Sequence, residues 1–126
     1  MSFDIFLQRF DGPLTDADKV ALNAIIRSFA PASGRAFSRF ETADGGADVY
    51  GEDDLANGMM INHAQGTLIW DVIVRIAQAG RFAIMPVGCP TCLTDPALAA
   101  TLPSEIASDT RVVSTGRDLL AVITHS

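Results

Sequence analysis

The sequence is short of cations. Of its 126 residues only Lys19 is a lysine, and eight arginines are spread from Arg9 to Arg117 without a cluster. Set against fifteen acidic residues, they leave a formal charge of −6. Nucleic-acid binding requires a local positive field that displaces counterions from phosphate, so this composition argues against DNA or RNA as a partner. An anionic membrane surface is disfavoured for the same reason. Long apolar runs are missing too: residues 68–76 are interrupted by Asp71 and Arg75 and are too few to span a bilayer. The start, Met1-Ser2-Phe3-Asp4, lacks the basic segment of a signal peptide. The expected compartment is therefore the cytoplasm, where Cys89 and Cys92 stay reduced. Two cysteines make no disulfide scaffold, and with only His63 and His125 there is little imidazole for metal or nucleophile chemistry.

What is present is ordinary globular material. Hydrophobic residues make up 48% of the chain, which excludes intrinsic disorder, and the length suits one domain over residues 1–126. Residues 2–10 alternate as a strand, with Phe3, Ile5 and Leu7 on one side and Asp4, Phe6, Gln8 and Phe10 on the other. Thr15 is placed to cap a helix over residues 16–29, whose Leu22, Ile25, Ile26 and Phe29 form one apolar stripe. Residues 36–40 and 47–50 read as strands of a hairpin around Gly45-Gly46, and residues 59–63 as a third strand.

Residues 68–79 read as a helix, supported by Asp71 and Arg75 at i, i+4 and by Gly80 as the residue beyond its end. Ile69, Val72, Ile73 and Ile76 form its inner stripe, but Trp70, Val74 and Ala77 widen the apolar sector beyond one face. Such a helix is either sandwiched inside the fold or touches another subunit, so a homodimer enters as a possibility. Residues 82–87 suit a central strand, Asp95-Pro96 starts a short helix that Leu102-Pro103-Ser104 ends, and residues 111–113 form a last strand before a helix capped by Ser114 or Thr115. The expected order is β-α-β-β-β-α-β-α-β-α. The expected class is α+β, a single mixed or mainly antiparallel sheet with helices packed on it.

The segments Ser2-Phe3-Asp4-Ile5-Phe6-Leu7, Leu68-Ile69-Trp70-Asp71, Leu102-Pro103 and Ser114-x-Gly116-x-Asp118-Leu119-Leu120 resemble those of a family of small uncharacterised bacterial proteins. Small acidic cytoplasmic proteins of that kind look like immunity proteins, which inhibit partner toxins. The resemblance implies a fold and an inhibitory partner interaction; it carries no catalytic residue to this chain.

Three constellations bear on chemistry. Cys89-Pro90-Thr91-Cys92 has the spacing of a thiol-redox or metal pair, and is similar in form to the motif of glutaredoxin-like oxidoreductases. In that family, however, the motif opens a long helix after the first strand, whereas here it follows a late strand. The bland alternative is a loop with two small packing residues. Zinc would need further ligands, for which His63 is the internal candidate and His125 stands next to the last residue. Ser114-Thr115-Gly116 could present backbone N–H groups to an anion, although helix capping asks for the same residues.

The third constellation is acidic: Asp44, Asp48, Glu52, Asp53 and Asp54 occur with no basic residue among them. Leu55 stands where a calcium loop would need its last glutamate. What remains is either a solvated hairpin and loop or an acidic face that steers association with a basic protein. No nucleophile elbow or phosphate-binding glycine loop occurs. The sequence thus points to a non-enzymatic protein-binding module, without catalytic residues or cofactor. Its contacts are expected from Asp48, Glu52, Asp53, Asp54 and Trp70. The alternative is a redox or zinc protein using Cys89, Cys92 and His63.

Overall fold

A computed structural model describes residues 4–29, 37–51 and 58–125. The fold is α+β: one mixed sheet of seven strands with helices packed on it. In chain order the elements are β1 (Ile5–Arg9), α1 (Asp16–Phe29), β2 (Phe37–Thr42), β3 (Gly45–Tyr50), β4 (Met59–Gln65), α2 (Leu68–Gly80) and β5 (Phe82–Pro86). Then follow β6 (Thr91–Leu93), a 3₁₀ helix (Pro96–Thr101), α3 (Ser104–Ala107), β7 (Thr110–Val112) and α4 (Gly116–Thr124). Across the sheet the strands lie in the order β2-β3-β4-β1-β5-β6-β7. All neighbours are antiparallel except β6 and β7, whose parallel pairing is made possible by the crossover through the 3₁₀ helix and α3.

Alternation along the strands divides the sheet into two faces. Ile5 and Leu7, Phe40, Ala47 and Val49, Met59 and Ile61, and Phe82 and Ile84 point to one side and are buried beneath the helices. α2 lies in the middle of that layer, with α1 on one flank and α4 on the other. This placement explains its wide apolar sector: Ile69, Val72, Ile73 and Ile76 meet the sheet, while Trp70, Val74 and Ala77 are buried as well.

Several details depart from the sequence expectation for identifiable reasons. β6 was expected to be loop, but Cys92 pairs with Ile84 and residues 91–93 run beside β7. The helix begun at Asp95-Pro96 ends before Leu102 as expected, but Ser104 then opens a further turn, α3, that was not expected. Gly80 is the last residue of α2 and not the one beyond it, because a Cβ there would meet the ring of Phe82. Arg81 takes the left-handed position instead (φ 54°), held by a 2.6 Å hydrogen bond from its Nε to Asp11 Oδ2. Asp71 and Arg75 find separate partners: Asp71 turns to α4, and the Arg75 guanidinium sits 5.6 Å from the centroid of the Phe29 ring.

Both capping threonines use a reciprocal arrangement. Thr15 Oγ1 accepts from the Asp18 N–H while Asp18 Oδ2 accepts from the Thr15 N–H, and Thr115 and Asp118 do the same for α4. These bonds hold the carboxyls of Asp18 and Asp118 below the usual range: in Asp18 chiefly the backbone N–H of Thr15, in Asp118 chiefly that of Ser114. Among the described residues no helix is long and apolar enough to cross a membrane.

Candidate functional site

Among the described residues, the second face of the sheet is only half covered. The 3₁₀ helix lays Leu98 on Ala83 and Leu93, with Phe10, Ala99 and Leu102 around them, and so shields the β5–β6 side. Over β3, β4 and β1 no described helix lies on this face. Register sets the side chains there in rows. Tyr50 on β3 stands opposite Met60 on β4, Met60 opposite Phe6 on β1, and Phe6 opposite Met85 on β5. Phe6 is 43% exposed, an unusual position for a phenylalanine in the central strand of a sheet.

Beside this apolar row runs a polar one. Arg39 on β2 pairs with Asp48 on β3, which stands opposite Asn62 on β4, and Asn62 Nδ2 donates to Asp4 Oδ1 at 3.3 Å. Asp48 receives the Arg39 Nη1 at 3.2 Å on one oxygen and His63 Nδ1 at 2.9 Å on the other. Since a carboxylate only accepts, the proton of that second bond sits on Nδ1. Asn62 Oδ1 is buried and has no hydrogen-bond partner. Such an acceptor typically costs about 1–3 kcal/mol.

His63 occupies a special backbone position. Asp48 is opposite Asn62 and Gly46 opposite Gln65, so β4 carries one residue more than β3 between these pairs. His63 sits in this bulge with φ 53°, and the irregularity brings its ring to Asp48. It is therefore an interior residue of β4 and not the strand-end residue expected. Bulged, left-handed non-glycine positions concentrate where a side chain has to be re-aimed.

The acidic candidates separate into different roles. Asp44, in the β2–β3 turn, spends its carboxylate on α2: Thr67 N–H and Oγ1 donate at 2.8 and 2.9 Å, and Leu68 N–H at 3.4 Å. The backbone bond from Thr67 is the main reason that its carboxyl is held below the usual range. Asp48 lies on the open face, neutralised in part by neighbours from β2 and β4 that the linear sequence does not show. Glu52, Asp53 and Asp54 lie outside the described residues, in the connection between β3 and β4. Trp70 is only 7% exposed and belongs to the core beneath the helices, so it offers little surface to a partner. With Thr67, Asp71, Gly116, Arg117 and Leu120 it lines a shallow depression of about 280 Å³ on the helical side. The N–H groups of Ser114, Thr115 and Gly116, the candidates for anion binding at the start of α4, are already taken by carboxylates, Thr115 N–H by Asp118 Oδ2 at 3.3 Å. Gly116 N–H donates to Asp71 Oδ1 at 2.7 Å, and Ser114 N–H to Asp118 Oδ2 at 2.9 Å.

The cysteine pair is placed differently from a reactive one. Cys89 is in the turn after β5, with its N–H donating to Pro86 O, whereas Cys92 points into the core under the helices and is fully buried. Burial pushes the Cys92 thiol up to about 11, reinforced by Cys89 and opposed by Arg111. A reactive thiol needs the opposite shift. His63 is remote from both: β4 and β6 are separated by β1 and β5, roughly 14 Å at ordinary strand spacing. Among the described residues, no three His, Cys, Asp or Glu side chains gather so as to hold a metal ion.

Charge is distributed unevenly. Lys19, Arg27, Arg75 and Arg117 balance Asp16, Asp18, Asp71 and Asp118, so α1, α2 and α4 together are neutral. The strands carry Arg9, Arg39 and Arg111 against Glu41 and Asp48, so the acidic excess lies in the segments between elements and in α3, not in the sheet itself. No family model, curated protein or solved structure matches the chain.

The residues that sequence reasoning missed are Phe6, Met60 and Met85, with Tyr50 and Asn62. Met60 and Asn62 lie on β4 and the other three on separate strands, and only the register assembles them. The one available signal was Phe6, an aromatic on the side of β1 opposite Ile5 and Leu7.

Proposed function

We propose that this protein is a non-enzymatic protein-binding module whose open sheet face meets a basic protein partner, in the manner of an immunity or inhibitor protein. The observation that carries the reading is the in-register row Tyr50–Met60–Phe6–Met85, an apolar strip of half-buried side chains with Phe6 43% exposed among them. Apolar and aromatic residues at the centre of a patch supply most of the affinity of an interface, and a polar rim supplies orientation and speed of association. Here Asp4 and Asp48, the latter paired with Arg39, border the strip. The resemblance to immunity-like proteins favours the same role.

Charge selects the kind of partner. A second copy of the chain also carries a net −6 and would be repelled, whereas a basic protein would be drawn toward it. The earlier expectation for Trp70 does not enter this reading, because the helices cover it.

Site-specific photo-crosslinking tests the proposal. A benzophenone amino acid replaces Phe6 in one variant and Val20, an exposed residue of α1, in another. The expected result is a crosslink to a basic protein from position 6 and none from position 20 in the same cells. Crosslinks from position 20 alone, or products from position 6 that contain only this chain, would overturn it.

A further inference from the structure

We infer that Asn62 and Asp4 form the seat for an arginine of the partner, with Phe6 and Met60 receiving the aliphatic stem of that side chain. The inference rests on the protein-binding reading and specifies its chemistry. Asn62 is the one side chain among the described residues with a buried, unpartnered oxygen or nitrogen, and that atom, Oδ1, is an acceptor. Its orientation is fixed by its own donation to Asp4 Oδ1: turning the amide over would set oxygen against oxygen. What the position lacks is therefore a donor. Neighbouring charges say which donor. Asp48, on one side, is already engaged by Arg39 and His63, while Asp4, on the other, faces only the Asn62 amide among the described side chains. A guanidinium placed there supplies an N–H to Asn62 Oδ1 and a positive charge to Asp4 together, through its planar set of five donors.

The apolar row completes the seat. Phe6 and Met60 follow Asp4 and precede Asn62 by two residues on their strands, so all four side chains share one face at adjacent register positions. A guanidinium over an aromatic face gains a further attraction that an ammonium exploits less well. A small shift of the Asn62 side chain is needed to expose Oδ1, within the reach of rotamer motion.

The experiment is a titration of the isotope-labelled protein, followed by NMR, with a short capped peptide alternating leucine and arginine. Companion peptides carry lysine or the neutral isostere citrulline instead. Shifts are expected at Asp4, Phe6, Met60 and the Asn62 side-chain amide, with arginine binding at least fivefold tighter than lysine or citrulline. Asn62→Leu, which removes the unpaired acceptor and also takes from the half-buried Asp4 carboxylate its amide donor, should keep the fold and abolish the preference for arginine. Shifts along Phe6, Met60 and Met85 that spare the Asn62 amide, or an arginine preference that survives in Asn62→Leu, would overturn the seat and leave the sheet-face reading standing. Shifts confined to the helices, or none at millimolar peptide, would overturn both.

Discussion

Asp44 reaches from the β2–β3 turn to Thr67, 23 residues further along the chain, and takes both its N–H and its hydroxyl at 2.8 and 2.9 Å. The carboxylate of a hairpin thereby serves as the N-terminal cap of α2, the helix around which α1 and α4 pack. A residue that looks like part of a solvated acidic run is a structural joint between sheet and helices. Because the bonds favour the charged form, the Asp44 carboxyl lies below its ordinary 3.8 in the folded protein.

The sign of the pH dependence follows. A carboxyl with a depressed folded value contributes stability that is present above 3.8 and is lost as pH falls through the lower folded value. Urea unfolding between pH 7 and pH 2 should show wild-type stability declining below about pH 4. Asp44→Asn should start lower and decline less steeply; some slope should persist because Asp18 and Asp118 are shifted in the same direction. Parallel profiles for the two proteins would remove Asp44 from the account.

α4 docks on α2 through Gly116, whose position leaves no room for a Cβ against the backbone of Trp70 and Asp71. Gly116→Ala should destabilise by about 1–3 kcal/mol, the usual effect of overpacking a close contact. It should also red-shift the fluorescence of Trp70, the sole tryptophan, as the helices part. Thr115→Ala removes the cap alone and should cost about 1 kcal/mol without moving the emission of the folded state.

The two thiols should behave unequally. In native protein at pH 8, Cys89 should react with a thiol reagent within minutes, while Cys92, fully buried and pushed up to about 11, should react only as the protein unfolds. Rapid modification of both, or a stable disulfide after mild oxidation of folded protein, would bring the redox alternative back.

Core energetics distinguish the two sides of α1 and α2. Ile73, fully buried between α2 and the sheet, should lose about 2–5 kcal/mol on truncation to alanine. Val20, exposed on α1, should change stability by less than about 0.5 kcal/mol. Chemical denaturation of the two variants checks both values, and Val20→Ala then serves as the unperturbed control for interface work.

Much of this architecture is written locally in the sequence. The stripe of Ile69, Ile73 and Ile76 announces α2, and Thr15 announces the start of α1; the hairpin was legible too, although its turn is Ala43-Asp44 and Gly45 and Gly46 open β3. β6 escaped because Thr91, Cys92 and Leu93 are too few to display a period, and their neighbours on both sides are supplied by distant segments. Trp70 suggested a surface because width of an apolar sector does not say what flanks it; α1 and α4 do. The polar and apolar rows of the open face were illegible for a different reason. Asp48 obtains Arg39 from one strand and His63 from another, and the bulge that brings His63 to it arises only once β3 and β4 are paired. Phe6, Met60, Tyr50 and Met85 become a strip only through register.

The central claim is that the open sheet face, and not the helical layer, binds a protein partner. Its most direct test is the dissociation constant of the crosslinked partner for wild type, Phe6→Ala and Val20→Ala at low and at physiological salt. A buried aromatic anchor at an interface centre is worth about 2 kcal/mol or more, so Phe6→Ala should weaken binding at least about tenfold at both salt concentrations. Val20→Ala should match wild type, and binding by all three should weaken as salt rises. Equal affinities for Phe6→Ala and wild type, or a loss in Val20→Ala alone, would contradict the account.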